Sequence, residues 1–140
     1  MIADTLLEIL KRAGGWNPSL YLKIENAPYM ALVIEATGDS GPSGLPAISV
    51  AHYGEQNGDL MRDPEMCFEL GTADESHLDP FYFRNDYIGV EQWSRTIERG
   101  HNVHLSRLHE QHKQFAKEWD NNLRLQGFAG AFERQQTPRA

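Results

Sequence analysis

The sequence predicts an α+β fold: an antiparallel sheet of four or five strands packed against a long C-terminal helix and a short N-terminal helix. Three observations predict it. Leu20, Leu22 and Ile24 alternate with Tyr21, Lys23 and Glu25, the period-two signature of a half-buried strand. Asn57-Gly58 stands between two strand-like runs, and both central positions of a type I′ hairpin turn need positive φ. Leu105, Leu108, His112, Phe115, Trp119 and Leu123 recur at three- and four-residue spacing, which predicts one amphipathic helix from residue 101 to about 126.

Taken in order, residues 3–13 read as a short amphipathic helix, with Leu6, Leu7, Ile9 and Leu10 among acids early and bases late, stopped by Gly14-Gly15. The strand over 20–25 turns at Asn26-Ala27-Pro28 into a nearly continuous apolar run over 29–36, suited to a central strand. Residues 37–46 have loop composition throughout; their glycines lack the Lys-Ser/Thr ending of a phosphate-binding loop. Residues 47–53 and 65–70 form the arms of the Asn57-Gly58 hairpin, and Asp63-Pro64 either bulges the returning arm or keeps it at a sheet edge. After an acidic loop over 72–80, residues 81–90 give an aromatic fifth strand bending at Asn85-Asp86. Residues 91–99 give a short helix around Trp93 and Ile97, ended by Gly100. Gly127 and Gly130 stop the long helix. One domain over 1–134 and a flexible tail over 135–140 complete the expected organisation.

With 140 residues, 40% hydrophobic and 24% charged, the chain suits a single core. No apolar run approaches the ~18 residues of a membrane span, and the first residues lack the basic start of a signal peptide, so a cytoplasmic location is expected. Residues 1–100 hold 7 basic against 16 acidic side chains, a net of −9, and residues 101–140 hold 6 against 4, a net of +2. An acidic body argues against nucleic-acid binding. The single cysteine, Cys67, excludes an internal disulfide and any multi-cysteine zinc site, and reads as a small half-buried residue rather than a nucleophile.

The densest polar stretch is the hairpin, and with Asn85 and Asp86 it gives the candidate polar cluster His52, Glu55, Asn57, Asp59, Asp63, Glu65, Asn85 and Asp86. Turn chemistry accounts for Asn57, Gly58 and Asp59, which leaves His52, Glu55, Asp63 and Glu65 as the residues whose presence a turn does not require. The acids do not follow EF-hand spacing, and no metal or cofactor is expected. Phe81, Tyr82, Phe83, Tyr87 and Trp93 form a candidate interface, because aromatic residues are enriched where proteins meet. His101, His104, His109 and His112 lack the His-Glu-x-x-His pattern and read as scaffold or interface residues.

The run His52-Tyr-x-Glu-Gln-Asn-Gly-Asp-Leu-Met-x-Asp-Pro-Glu-Met66, then Phe68-Glu69 and Tyr82-x-x-Asn-Asp-Tyr-x-Gly89, resembles an uncharacterised domain family of plasmid, integrative-element and phage-related proteins. The resemblance spans roughly residues 45–92 and departs at Glu91-Gln92-Trp93, where a Tyr-Gln-Glu-like run is expected. It implies a mobile-element context and no particular reaction. The leading functional expectation is therefore an accessory or protein-binding domain, with a protein partner and a possible homo-oligomer. The alternatives are a small metal-assisted hydrolase using the acidic hairpin and an acidic nucleic-acid mimic that inhibits a host defence enzyme.

Overall fold

The computed structural model of the chain describes residues 3–71 and 77–136. Its elements run α1 (Asp4–Arg12), β1 (Tyr21–Asn26), β2 (Tyr29–Ala36), β3 (Ala47–Gln56), β4 (Asp59–Leu70), β5 (Leu78–Asn85), β6 (Val90–Trp93), β7 (Arg95–Glu98), β8 (His101–His104), α2 (Ser106–Leu125) and α3 (Phe128–Gln136). The first six strands form one antiparallel meander in sequence order, and β7 and β8 form a separate two-stranded ribbon. The α+β class is as predicted, with six sheet strands in place of four or five.

Three expectations about the C-terminal half are corrected. The helix over 91–99 is absent, because β6 pairs with β5 and Arg95–Glu98 pairs with His101–His104 around an Arg99-Gly100 turn. Both turn residues have positive φ, 51° and 80°. The long helix consequently starts at Ser106, with His101 and His104 on β8. Finally, Gly127, at φ 83°, ends α2, and a further helix follows it, in which Phe128, Ala131 and Phe132 bury one face. This helix includes Gln135 and Gln136 of the expected tail; 137–140, like 72–76 of the expected acidic loop, lie outside the described residues.

The hairpin between β3 and β4 forms as its turn signal predicts, with Asn57 at φ 52° and Gly58 at φ 86°. The Asp63-Pro64 bulge is also present. Pairing passes from Ala51 opposite Glu65 to Tyr53 opposite Arg62, so Asp63 and Pro64 both lie opposite His52. That is how an interior strand accommodates proline.

All three helices lie on one side of the sheet. Ile24, Leu32, Ile34, Ile48, Val50, Met66 and Phe68 point to that side and bury against Leu6, Ile9 and Leu10 of α1, Trp119 and Leu123 of α2, and Phe128 and Phe132 of α3. Burial of each such side chain stabilises the fold by about 1.5–3 kcal/mol. No helix among the described residues is long and apolar enough to cross a membrane.

Two polar devices fix the helices. The residue before α1, Ala3, offers no capping side chain, and buried Asp120 of α2 takes that role: its carboxylate accepts from the Thr5 amide at 3.1 Å and the Leu6 amide at 2.9 Å. On α3, Gln135 acts on the outer edge of β1. Its amide nitrogen donates to the Lys23 carbonyl at 3.0 Å, and its amide oxygen accepts from the Glu25 N–H at 2.6 Å. One side chain thereby satisfies two of the backbone groups that an added strand would pair with.

Candidate functional site

Strand register places two rows of side chains on the sheet face away from the helices. One row runs Tyr21, Glu35, Ser49, Cys67, Tyr82, Trp93, and the next Lys23, Val33, Ala51, Glu65, Arg84, Glu91. Val33, Ala51 and Cys67 are buried by their larger neighbours rather than by a helix. Because Ala31 and Val33 are small, a groove of about 490 Å³ opens between Tyr21 and Lys23 on one side and Tyr53, Leu60 and Arg62 on the other.

The charged side chains of this face are largely paired. Glu65 accepts from the Ser49 hydroxyl at 2.5 Å and pairs with Arg62 at 3.1 Å. Asp86 accepts from the Arg62 amide at 2.8 Å and from Arg84 at 2.6 Å, and these bonds hold its carboxyl below the usual range. Tyr82 donates to Glu91 at 2.6 Å. Burial pushes the Cys67 thiol up to about 12, with the Glu65 charge adding to the rise, so it is no nucleophile.

The predicted polar cluster does not converge. His52 faces the helices, with its ring centroid 5.6 Å from those of both Trp119 and Phe128, and its Nδ1–H donates to the Met30 and Ala31 carbonyls. Burial lowers its pKa, and it is a neutral core histidine. Glu55, Asn57 and Asp59 sit at the exposed hairpin tip, while Asp63 accepts from Asn85 at 2.9 Å and braces the bulge. Of the candidate interface residues, Tyr82 and Trp93 share the open face with ring centroids 5.0 Å apart, and Tyr87 is exposed beside Gly54. Phe83 turns inward against Phe115 and His112, and Phe81 is half-buried at a register shift in β5.

A second polar network, unforeseen in the sequence, joins the sheet's other end to α2 and the ribbon. Buried Glu69 accepts from the Ser43 amide at 2.8 Å and pairs with Arg95 at 2.7 Å. Arg95 also pairs with Asp79 at 2.8 Å. Asp79 accepts from His109 Nε2–H at 2.7 Å, and His109 Nδ1 lies 2.9 Å from His104 Nε2. In that last contact one ring nitrogen donates and the other accepts. Nearby, His112 Nε2–H donates to Gln92 and Nδ1 accepts from the Ser94 hydroxyl. Among the described residues no group of three or more His, Cys, Asp or Glu side chains is arranged to hold a metal ion.

Two histidines, His112 and His52, make stability depend on pH. Burial, aided by the nearby His109 charge, lowers the His112 pKa to about 4, against 6.5 in the unfolded chain. Between those values the unfolded chain binds a proton that the folded chain excludes. The His112 contribution is therefore full above pH 6.5 and is lost as the pH falls toward about 4, with a limiting slope of about 1.4 kcal/mol per pH unit. His52, shifted the same way, adds to the slope. Urea titrations at pH 7, 6 and 5 should show this decline, and His112→Gln should flatten it.

A family model described as Domain of unknown function (DUF6908) matches residues 4–129. No curated protein and no solved structure matches the chain.

Proposed function

The chain belongs to the DUF6908 family, and from that premise we propose that it is an accessory, protein-binding domain of a bacterial mobile genetic element whose partner docks on the open face of the sheet. The observation that carries this reading is the two-row face itself. It holds Tyr21, Tyr82 and Trp93 around small apolar residues, with the three helices all on the opposite side. Leu60 and Trp93 are 72% and 47% exposed there, the kind of anchors that interfaces use.

The mobile-element context rests on the resemblance carried by residues 45–92. Several residues of that motif already have structural work: the Asn57-Gly58 turn, the Asp63-Pro64 bulge, the Asp63 to Asn85 bond and the buried Glu69. Their arrangement favours a scaffold over a reaction centre, since His52 lies across the sheet from Glu65 and Asp86.

Affinity purification of the protein from its native host tests the proposal. Trp93→Asp should release the partner, with a loss of about thirtyfold or more if Trp93 is a central anchor. Leu125→Asp, at an exposed position on α2, should retain it. Loss in the Leu125 variant with retention in the Trp93 variant would place docking on the helices and overturn the reading.

A further inference from the structure

The groove on the open face has a carboxylate that its described neighbours leave unmatched. Of the two acids lining the groove, Glu25 pairs with Lys23 at 3.4 Å, whereas the carboxylate of half-buried Glu35 has no hydrogen bond or ion pair among the described residues. The groove's other cation, Arg62, is engaged by Glu65 and Asp86 and lies over the Tyr53 ring at 6.0 Å. The groove therefore has an unneutralised acid at one end.

Its surroundings suit a cation with an aliphatic stem. Tyr21 sits directly opposite Glu35 on the neighbouring strand and is 59% exposed, so its ring face is available beside the carboxylate. Val33 and Ala31 continue as an apolar floor along β2. A lysine or arginine side chain laid along that floor would put its methylenes on Val33 and its charge between Glu35 and the Tyr21 ring, combining an ion pair with a cation–π contact. A carboxylate ligand would meet Glu35 as a like charge, and a purely apolar one would leave that acid desolvated without a partner.

We propose that this groove is a recognition site for a basic side chain, lysine or arginine, presented by an extended segment of the protein partner. Glu35 is the charge partner, Tyr21 the aromatic wall, and Val33 the floor. Lys23 is the competing cation: it stands two residues along the same edge strand from Tyr21, and among the described residues its ammonium is held by an exposed pair to Glu25. Its removal should open the site further. The proposal rests on the open-face reading and adds the chemistry that the partner must carry.

The test uses N-acetyl-arginine amide as a probe, with the uncharged citrulline analogue as its control, titrated into the isotope-labelled protein and followed by NMR. The arginine probe should produce saturable shifts centred on Ala31, Val33 and Glu35, weakening as salt rises; the citrulline analogue should not. Glu35→Gln should lower the probe affinity about fivefold, the worth of one half-exposed ion pair, while its unaltered spectrum elsewhere confirms folding. Lys23→Met should raise the affinity. Equal binding of both probes, or binding indifferent to Glu35→Gln, overturns the cation site. A partner lost in Trp93→Asp but indifferent to Glu35→Gln also rejects the cation site and leaves the open-face reading standing, so the two failures are distinguishable.

Discussion

Arg95→Ala should lower the stability of the folded protein by about 3–5 kcal/mol, because removing one member of a buried ion pair leaves its partner charged and unmatched. The side chain of Glu69 is only 2% exposed, and Glu69 and Asp79 are direct cross-strand neighbours on β4 and β5. Arg95 is the cation that reaches both of them, and it also donates to the Ser43 hydroxyl at 2.7 Å. Without it two carboxylates face each other in a site with little water. Arg95→Lys should recover only part of the loss, since one ammonium cannot reproduce a forked guanidinium across two acids. In the Arg95→Ala background, Glu69→Gln should restore stability by removing the uncompensated charge. Denaturant titrations of the four proteins check this; an Arg95→Ala cost below about 1 kcal/mol would show that the network is solvated rather than buried.

Asp120→Ala should cost about 3 kcal/mol, since it orphans two backbone donors in a buried setting and each such group costs about 1–3 kcal/mol. The Thr5 and Leu6 amides have no other acceptor within the helix, because the first turn of any α-helix leaves its N–H groups unsatisfied. Burial raises the Asp120 pKa, and its hydrogen bonds from Leu6 and Thr5 oppose the rise. Asp120→Asn should recover less than half of the loss: the Asn oxygen can accept one amide, but its NH₂ meets the other donor to donor. Amide exchange at Thr5 and Leu6, read alongside the unfolding midpoint, separates local release of α1 from global destabilisation.

The strands over 20–25 and 29–36 were legible because their alternation and the Asn26 to Pro28 turn are local signals. So were Asn57-Gly58 and the proline bulge. The segment 91–104 carries a helical signal, since Trp93 and Ile97 sit four apart as on a helix face, whereas pairing with β5 and the Arg99-Gly100 turn decide the outcome. Arginine is an uncommon residue at positive φ, so that turn announced itself poorly. Helix α3 was readable in Phe128, Ala131 and Phe132, but two nearby glycines suggested an end instead. The candidate site escaped for a different reason. Tyr21, Glu35 and Trp93 fall in one row only through the register of six strands, and Glu69 meets Arg95 through the return of the β7–β8 ribbon. Neither relation leaves a trace in spacing along the chain.

The Gln135 plug also limits the symmetry of self-association. An antiparallel sheet with two free edges can accept chains at both ends and grow without limit. Here β1 is occupied by a side chain, and β6 is the edge with no strand on its outer side among the described residues. Backbone pairing between copies through the remaining edge of the six-stranded sheet then joins β6 to β6 across a two-fold axis, an isologous contact that closes at two chains.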